Sequence, residues 1–117
     1  MTVREFYEMA DGNYEEAIGR FLTDARILKY TRKFPASVNP GELEEAIIAK
    51  DWPLAFRLAH TIKGVCLNMS YVTLSRLSSE LTELLRSGSP AEDPMPYFVR
   101  MKDEYDRVTA LIAGIED

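Results

Sequence analysis

One cysteine, one histidine and one tryptophan are all that 117 residues contain of those types. With Cys66 alone there is no disulfide framework and no cysteine-based metal site, and a reducing cytoplasm is the natural compartment. With His60 alone, paired-histidine zinc motifs and most multi-histidine metal chemistry are excluded, so neither a metal nor another cofactor is expected. No apolar run approaches the roughly 18 residues of a membrane span. The opening stretch MTVREFYEMADGNYEE lacks the basic-then-apolar order of a signal peptide. Positive charge is in the minority. Fourteen Lys+Arg against nineteen Asp+Glu leave a net −5, a poor general ligand for nucleic acid or an anionic membrane. Alternating strand patterns, internal repeats and low-complexity tracts are also missing. The composition, 46% hydrophobic and 28% charged, argues against disorder. The length suits one domain over 1–117.

The punctuation that is present is helical. A short helix is expected over Thr2–Met9. Asp11-Gly12-Asn13 is a turn, and Asn13 with Glu16 reads as a capping box. The apolar spacing of Tyr14, Ala17, Ile18, Phe21, Leu22, Ala25 and Leu28 predicts one helix from Tyr14 to about Phe34, bendable near Thr23-Asp24 and stopped by Pro35. Asn39-Pro40-Gly41-Glu42 opens a helix over Pro40–Lys50. Asp51-Trp52-Pro53 opens the next, about Pro53–Met69. Ser70 is expected to cap a helix over Tyr71–Arg86 with a stripe of Leu74, Leu77, Leu81, Leu84 and Leu85. Ser87-Gly88-Ser89-Pro90 ends it. A last helix, about Tyr97–Ala113, carries Phe98, Met101, Tyr105, Val108, Leu111 and Ile112. Amphipathic helices joined by short loops imply an all-α antiparallel bundle.

The Pro53–Met69 helix holds the chemistry. At 100° per residue, Leu54, Leu58, Ile62, Val65 and Met69 fall within about 40° of one line, with Ala55 and Cys66 at its margins. His60 lies about 200° from Leu58, facing solvent. Arg57 and Lys63 flank it at i−3 and i+3, Gly64 follows one turn on, and Phe56 and Leu67 share the outer face. A mid-helix glycine costs about 1 kcal/mol against alanine. Away from the core, its physical use is access for a partner approaching His60. From Trp52 to Ser79 there is no acid, although about one residue in six of the chain is acidic. Arg57, Lys63 and Arg76 therefore make the stretch basic, and the two cations flanking the imidazole would stabilise an anion placed on it.

An exposed histidine with no second histidine, no nearby acid and no pocket does not suit a hydrolase or a metal enzyme. It suits a histidine that is itself the substrate, taking a phosphoryl group from a protein, holding it as a phosphoramidate and passing it on. The in-line geometry and the metal would belong to the partner. Phe56 and Leu67 would supply docking surface. Two other readings stand beside this one. A helical scaffold without phosphotransfer has no need of the exposed Gly64. A small transferase using His60 as a general base would need a pocket and a second catalytic group.

Ala59-His60-Thr61-Ile62-Lys63-Gly64 resembles the AHxLKG signature of histidine-containing phosphotransfer (HPt) domains. Lys50-Asp51-Trp52 is similar to the family's D-W helix start, and Asn68-Met69-Ser70 with Leu74, Leu77 and Leu81 extends the likeness over about Leu43–Arg86. The resemblance implies an up-down-up-down four-helix bundle with a short N-terminal cap helix. It implies phosphorylation of His60 on a ring nitrogen, charge neutralisation by Lys63, and room for the partner at Gly64. The partners implied are receiver domains of response regulators or hybrid histidine kinases, with Mg²⁺ on the receiver and no kinase or phosphatase activity in the carrier. A monomer is expected. Met1 and the compact length suggest a stand-alone module, although a domain excised from a hybrid kinase would look the same. Two departures stand out. The family often has glycine where Ser70 stands and usually a small residue where Leu67 stands. Leu67 alters the docking surface, and Arg57 belongs to the helical wheel rather than to the family pattern.

Overall fold

The computed structural model describes residues 1–116 and contains seven helices among them: α1 Val3–Met9, α2 Tyr14–Phe21, α3 Asp24–Ser37, α4 Pro40–Ile48, α5 Trp52–Asn68, α6 Val72–Leu85 and α7 Met95–Ile112. The only extended pairing among these residues is a single bridge between Gly12 and Tyr71. The protein is an all-α bundle.

Side-chain caps set most of the helix starts. Thr2, Asn13, Thr23, Asn39 and Asp51 each accept a hydrogen bond from the backbone N–H three residues on. The expected boundaries at Pro40 and around Pro53 are met closely. Pro53 sits in the first turn of α5, where its missing N–H loses nothing.

Three local expectations fail. The predicted Tyr14–Phe34 helix is two helices, because Leu22 adopts φ 77° and ends α2 while Thr23 caps α3. Pro35 does not stop α3, which runs to Ser37. In the last turn a proline forfeits a single backbone bond. The Ser37 hydroxyl donates to the Phe34 carbonyl at 2.8 Å, and the Tyr105 hydroxyl donates to the Pro35 carbonyl at 2.9 Å. Ser70 does not cap α6. It stands at φ 59°, in the left-handed turn that closes α5, where the Tyr71 N–H donates to the Cys66 carbonyl at 3.1 Å. An N-cap needs extended backbone. The Ser70 hydroxyl instead donates to Glu16 at 2.6 Å and accepts from Arg20 at 3.0 Å. This left-handed conformation is what a glycine at that position would adopt without strain.

The short turn between α5 and α6 folds them back on one another. Cys66 meets Ser78 near the turn, Lys63 meets Glu83 further out, and Phe56 meets Arg86 near the far end, so the two helices run antiparallel. The buried line of α5 is shifted from the expected one, of which Ile62 and Met69 are buried. Ala55, Ala59, Ile62 and Cys66 are buried, while Leu54, Leu58 and Val65 are only half-buried at its edge. The axis has turned toward the small residues because α6 offers small ones in return. Ser75, Ser78 and Thr82 are all buried. The Ser78 and Thr82 hydroxyls donate to carbonyls one turn back, at 2.8 and 2.7 Å, which satisfies them in the core. Burial also pushes the Cys66 thiol up to about 12, as expected of a packing residue rather than a reactive one.

Helix α1 closes the end of the bundle where α5 stops and α6 begins. Phe6 and Tyr7 meet Tyr71 edge-on or tilted, with ring centroids 5.8 and 5.7 Å away, and Phe34 meets Tyr71 at 5.1 Å. The buried Tyr7 hydroxyl donates to the Met69 carbonyl at 2.7 Å. Replacing Tyr7 with Phe leaves that carbonyl unpaired and is expected to cost about 1–2 kcal/mol. Urea unfolding should show a lower midpoint at unchanged slope. An unchanged midpoint would mean that α1 is not tied to the α5–α6 turn through this bond.

Candidate functional site

The outer face of α5 is positioned from both ends. Asp51 accepts from the Leu54 N–H at 3.3 Å at the start, and the left-handed Ser70 turn fixes the finish. Between them His60 is exposed, as the wheel requires. The rotation of the core axis toward Ala55 and Ala59 still leaves it on the solvent side.

The imidazole has company. Phe56, one turn earlier, stacks on it with centroids 5.8 Å apart and ring planes 18° from parallel. The Arg86 guanidinium, from α6, lies 5.1 Å from the Phe56 ring centre. Arg86 also grips Glu83 with two parallel bonds of 2.8 and 2.9 Å. Glu83 in turn reaches Lys63 at 3.9 Å. Arg86 beside it holds the Glu83 carboxyl below the usual carboxylate range, with smaller contributions from Lys63 and His60. The site is thus a chain of contacts across two helices: His60, Phe56, Arg86, Glu83, Lys63.

Glu83 and Arg86 were not legible in the acid-free stretch of α5, and the expectation of no nearby acid is corrected here. They could have been found by folding α5 and α6 about their turn, which sets the residues around 83–86 opposite Phe56–Lys63. Lys63 is half-buried with its charge already paired, so it is not the free cation that the wheel suggests.

The remaining expected residues are spread along the same face. A Cβ built on Gly64 meets nothing within 4 Å, so no neighbouring helix demands glycine there. Leu67 is 50% exposed, a large apolar side chain left in water two turns from His60. Arg57 is exposed, and its carbonyl accepts from the Thr61 hydroxyl at 3.0 Å. No hydrogen bond or ring contact joins Arg57 to His60.

Five surface cavities of about 210–430 Å³ lie elsewhere, and His60 lines none of them. Among the described residues no three His, Cys, Asp or Glu side chains are grouped to hold a metal ion, and no helix is long and apolar enough to cross a membrane.

The helical bundle presents its one histidine to solvent on the outer face of α5. The model of the Hpt domain family matches residues 40–111, which covers α4 to the last turn of α7, and the chain belongs to that family. Hpt domains are phosphocarriers with a histidine-phosphotransfer role in phosphorelays, and they interact with receiver domains. No match was found among curated proteins or among solved structures.

Proposed function

We propose that His60 accepts a phosphoryl group from the phosphorylated aspartate of one receiver domain and passes it to the aspartate of another. The observation that carries this reading is the exposed His60 on α5, flanked by Lys63 and an open Gly64 in a chain of the Hpt family. In the forward step a ring nitrogen bonds to phosphorus as the bond from phosphorus to the aspartyl oxygen breaks, and the carboxylate leaves. The reverse step on a second receiver restores the imidazole. The metal is the receiver's, and the chain contributes neither metal nor cofactor. It has no kinase or phosphatase activity of its own.

Phe56 holds the imidazole ring from one side, and Leu67, Arg57 and the bare backbone at Gly64 form the docking surface around it. Since α1 to α3 share the core with α4 to α7, residues 1–117 act as one domain. The reading has it work as a monomer in the reducing cytoplasm, with its one thiol buried.

The test is incubation with a receiver domain phosphorylated by acetyl phosphate, followed by autoradiography of the separated proteins. Label is expected on this chain. Binding without label would leave an interaction module in place of a carrier.

Lys63 and Glu83 are expected to act in opposite directions. Lys63→Ala removes a cation beside the phosphoryl group, so transfer to His60 should slow and the phosphorylated form should be shorter-lived, by roughly tenfold or less, as for one charge-assisted contact at a solvated site. Glu83→Gln removes an anion that competes for Lys63 and repels the phosphate. The lifetime of the phosphorylated form should lengthen a few-fold, and the gain should shrink as salt screens it. Decay rates at low and high ionic strength check both. A Glu83→Gln protein that loses its phosphate faster than wild type would show that Glu83 positions Lys63 instead of competing for it.

A further inference from the structure

We propose that the α2–α3 edge is a second part of the docking surface, a basic and aromatic ledge that seats an acidic face of the receiver domain lying over His60. This rests on the phosphotransfer reading above and goes beyond it in naming where else the partner is held.

Three observations converge there. The first is charge. Helix α3 carries Arg26, Lys29, Arg32 and Lys33 against the single acid Asp24, in a chain whose net charge is −5. Among the described residues no ion pair engages Arg26, Lys29 or Lys33. The second is exposed apolar surface. Tyr30 is 43% exposed and stacks on Phe21 at 5.2 Å, with the ammonium groups of Lys29 and Lys33 each 5.8 Å from its ring centre. Leu22, between the two helices, is 66% exposed and held at φ 77°. An apolar side chain kept in water on strained backbone is costly in isolation, and such strain concentrates at functional surfaces. The third is shape. Arg20, Phe21, Arg26, Lys29 and Tyr30 line a cavity of about 430 Å³, enough to receive a side chain or two from a partner. Aromatic residues and arginine are enriched at interfaces relative to the rest of a protein's surface.

Continuity with the α5 face selects the receiver as occupant. Arg20 donates to the Asn68 carbonyl at 2.6 Å, and Tyr30 and Lys33 share a cleft with Val65 and Asn68. Asn68 is eight residues from His60, about 12 Å along the helix. A standard interface of about 800 Å² per partner is roughly 30 Å across and so reaches about 15 Å from its centre, which brings a receiver seated on His60 to the edge of the ledge at Tyr30 and Lys33. The ledge also lies wholly outside residues 40–111, so it belongs to this chain's own part rather than to the region shared with the family. It is therefore suited to choosing among receivers.

Charges at an interface rim act on the association rate, and salt removes their effect. The test uses a receiver phosphorylated with acetyl phosphate that labels the wild-type chain. Lys29→Glu with Lys33→Glu is expected to slow transfer about tenfold at low ionic strength and less than threefold at 0.5 M salt. Lys29→Gln with Lys33→Gln should fall between. Both positions are exposed, and the isolated phosphorylated variants should lose their phosphate at the wild-type rate, since the ledge does not touch His60. Equal transfer rates for all variants at low salt would overturn the ledge while leaving the carrier reading intact. A wild-type chain that no receiver labels would overturn both. A wild-type dimer that the charge reversal dissociates would assign the ledge to a second copy of this chain and would also overturn the proposal.

Discussion

His60→Gln is expected to abolish labelling by a phosphorylated receiver while the bundle stays folded. The chain has no second imidazole to take over, so residual labelling should fall to background rather than to a reduced rate. Glutamine keeps the polarity and approximate length of the side chain but offers no ring nitrogen able to attack phosphorus. Folding should survive because the side chain is exposed and its contact is the stack on Phe56 at the surface. Substitutions at such positions usually change stability by less than about 0.5 kcal/mol. Thermal unfolding followed by circular dichroism checks the second half of the expectation. A variant that unfolds well below wild type would make His60 a structural residue and leave the loss of label uninformative. A variant that is still labelled would move the chemistry to another side chain.

Gly64→Gln is expected to separate folding from transfer. The Cβ of any residue at 64 enters open space, and glutamine is a far better helix former than glycine. The variant should therefore be as stable as wild type or more so, by up to about 1 kcal/mol. Transfer should nevertheless slow by an order of magnitude or more, because the new side chain stands one turn from His60 in the path of the receiver. Gly64→Ala should show most of the stabilisation with little of the slowing. Receiver binding measured beside the transfer rate distinguishes this from Lys63→Ala, which leaves room to dock. If Gly64→Gln binds and transfers like wild type, access is not the reason for the glycine. With no atom near its Cβ, packing is not the reason either.

Both predictions rest on features that were legible in the sequence because they are local. A helical wheel needs only the order of residues, so the exposure of His60 and the open side of Gly64 followed from Pro53 to Met69 alone. The starts at Asn39-Pro40 and Asp51-Pro53 were legible for the same reason, since a cap bonds to a backbone group three residues away. What failed depended on partners distant in sequence or on backbone that residue type does not advertise. Thr23-Asp24 marked a possible bend, but leucine is no turn former, so nothing showed that Leu22 would turn left-handed and make the bend a full break between α2 and α3. Serine in a left-handed turn looks like serine at a cap, and the Glu16 and Arg20 groups that reward it lie some fifty residues upstream. The buried line of α5 was misplaced because large apolar residues were weighted over small ones, whereas close approach to α6 favours Ala55, Ala59 and Cys66. Glu83 and Arg86 joined the site only once the hairpin was folded.

The most direct test of the carrier role is to find the phosphoryl group. The wild-type chain, labelled by a phosphorylated receiver and kept at neutral to alkaline pH, would be digested and its peptides sequenced by mass spectrometry, with the lability of the label followed in parallel. The expected result is a single phosphoryl group on His60, lost in acid and stable in base as a phosphoramidate is. An acid-stable label, or one mapped to any residue other than His60, would contradict the account.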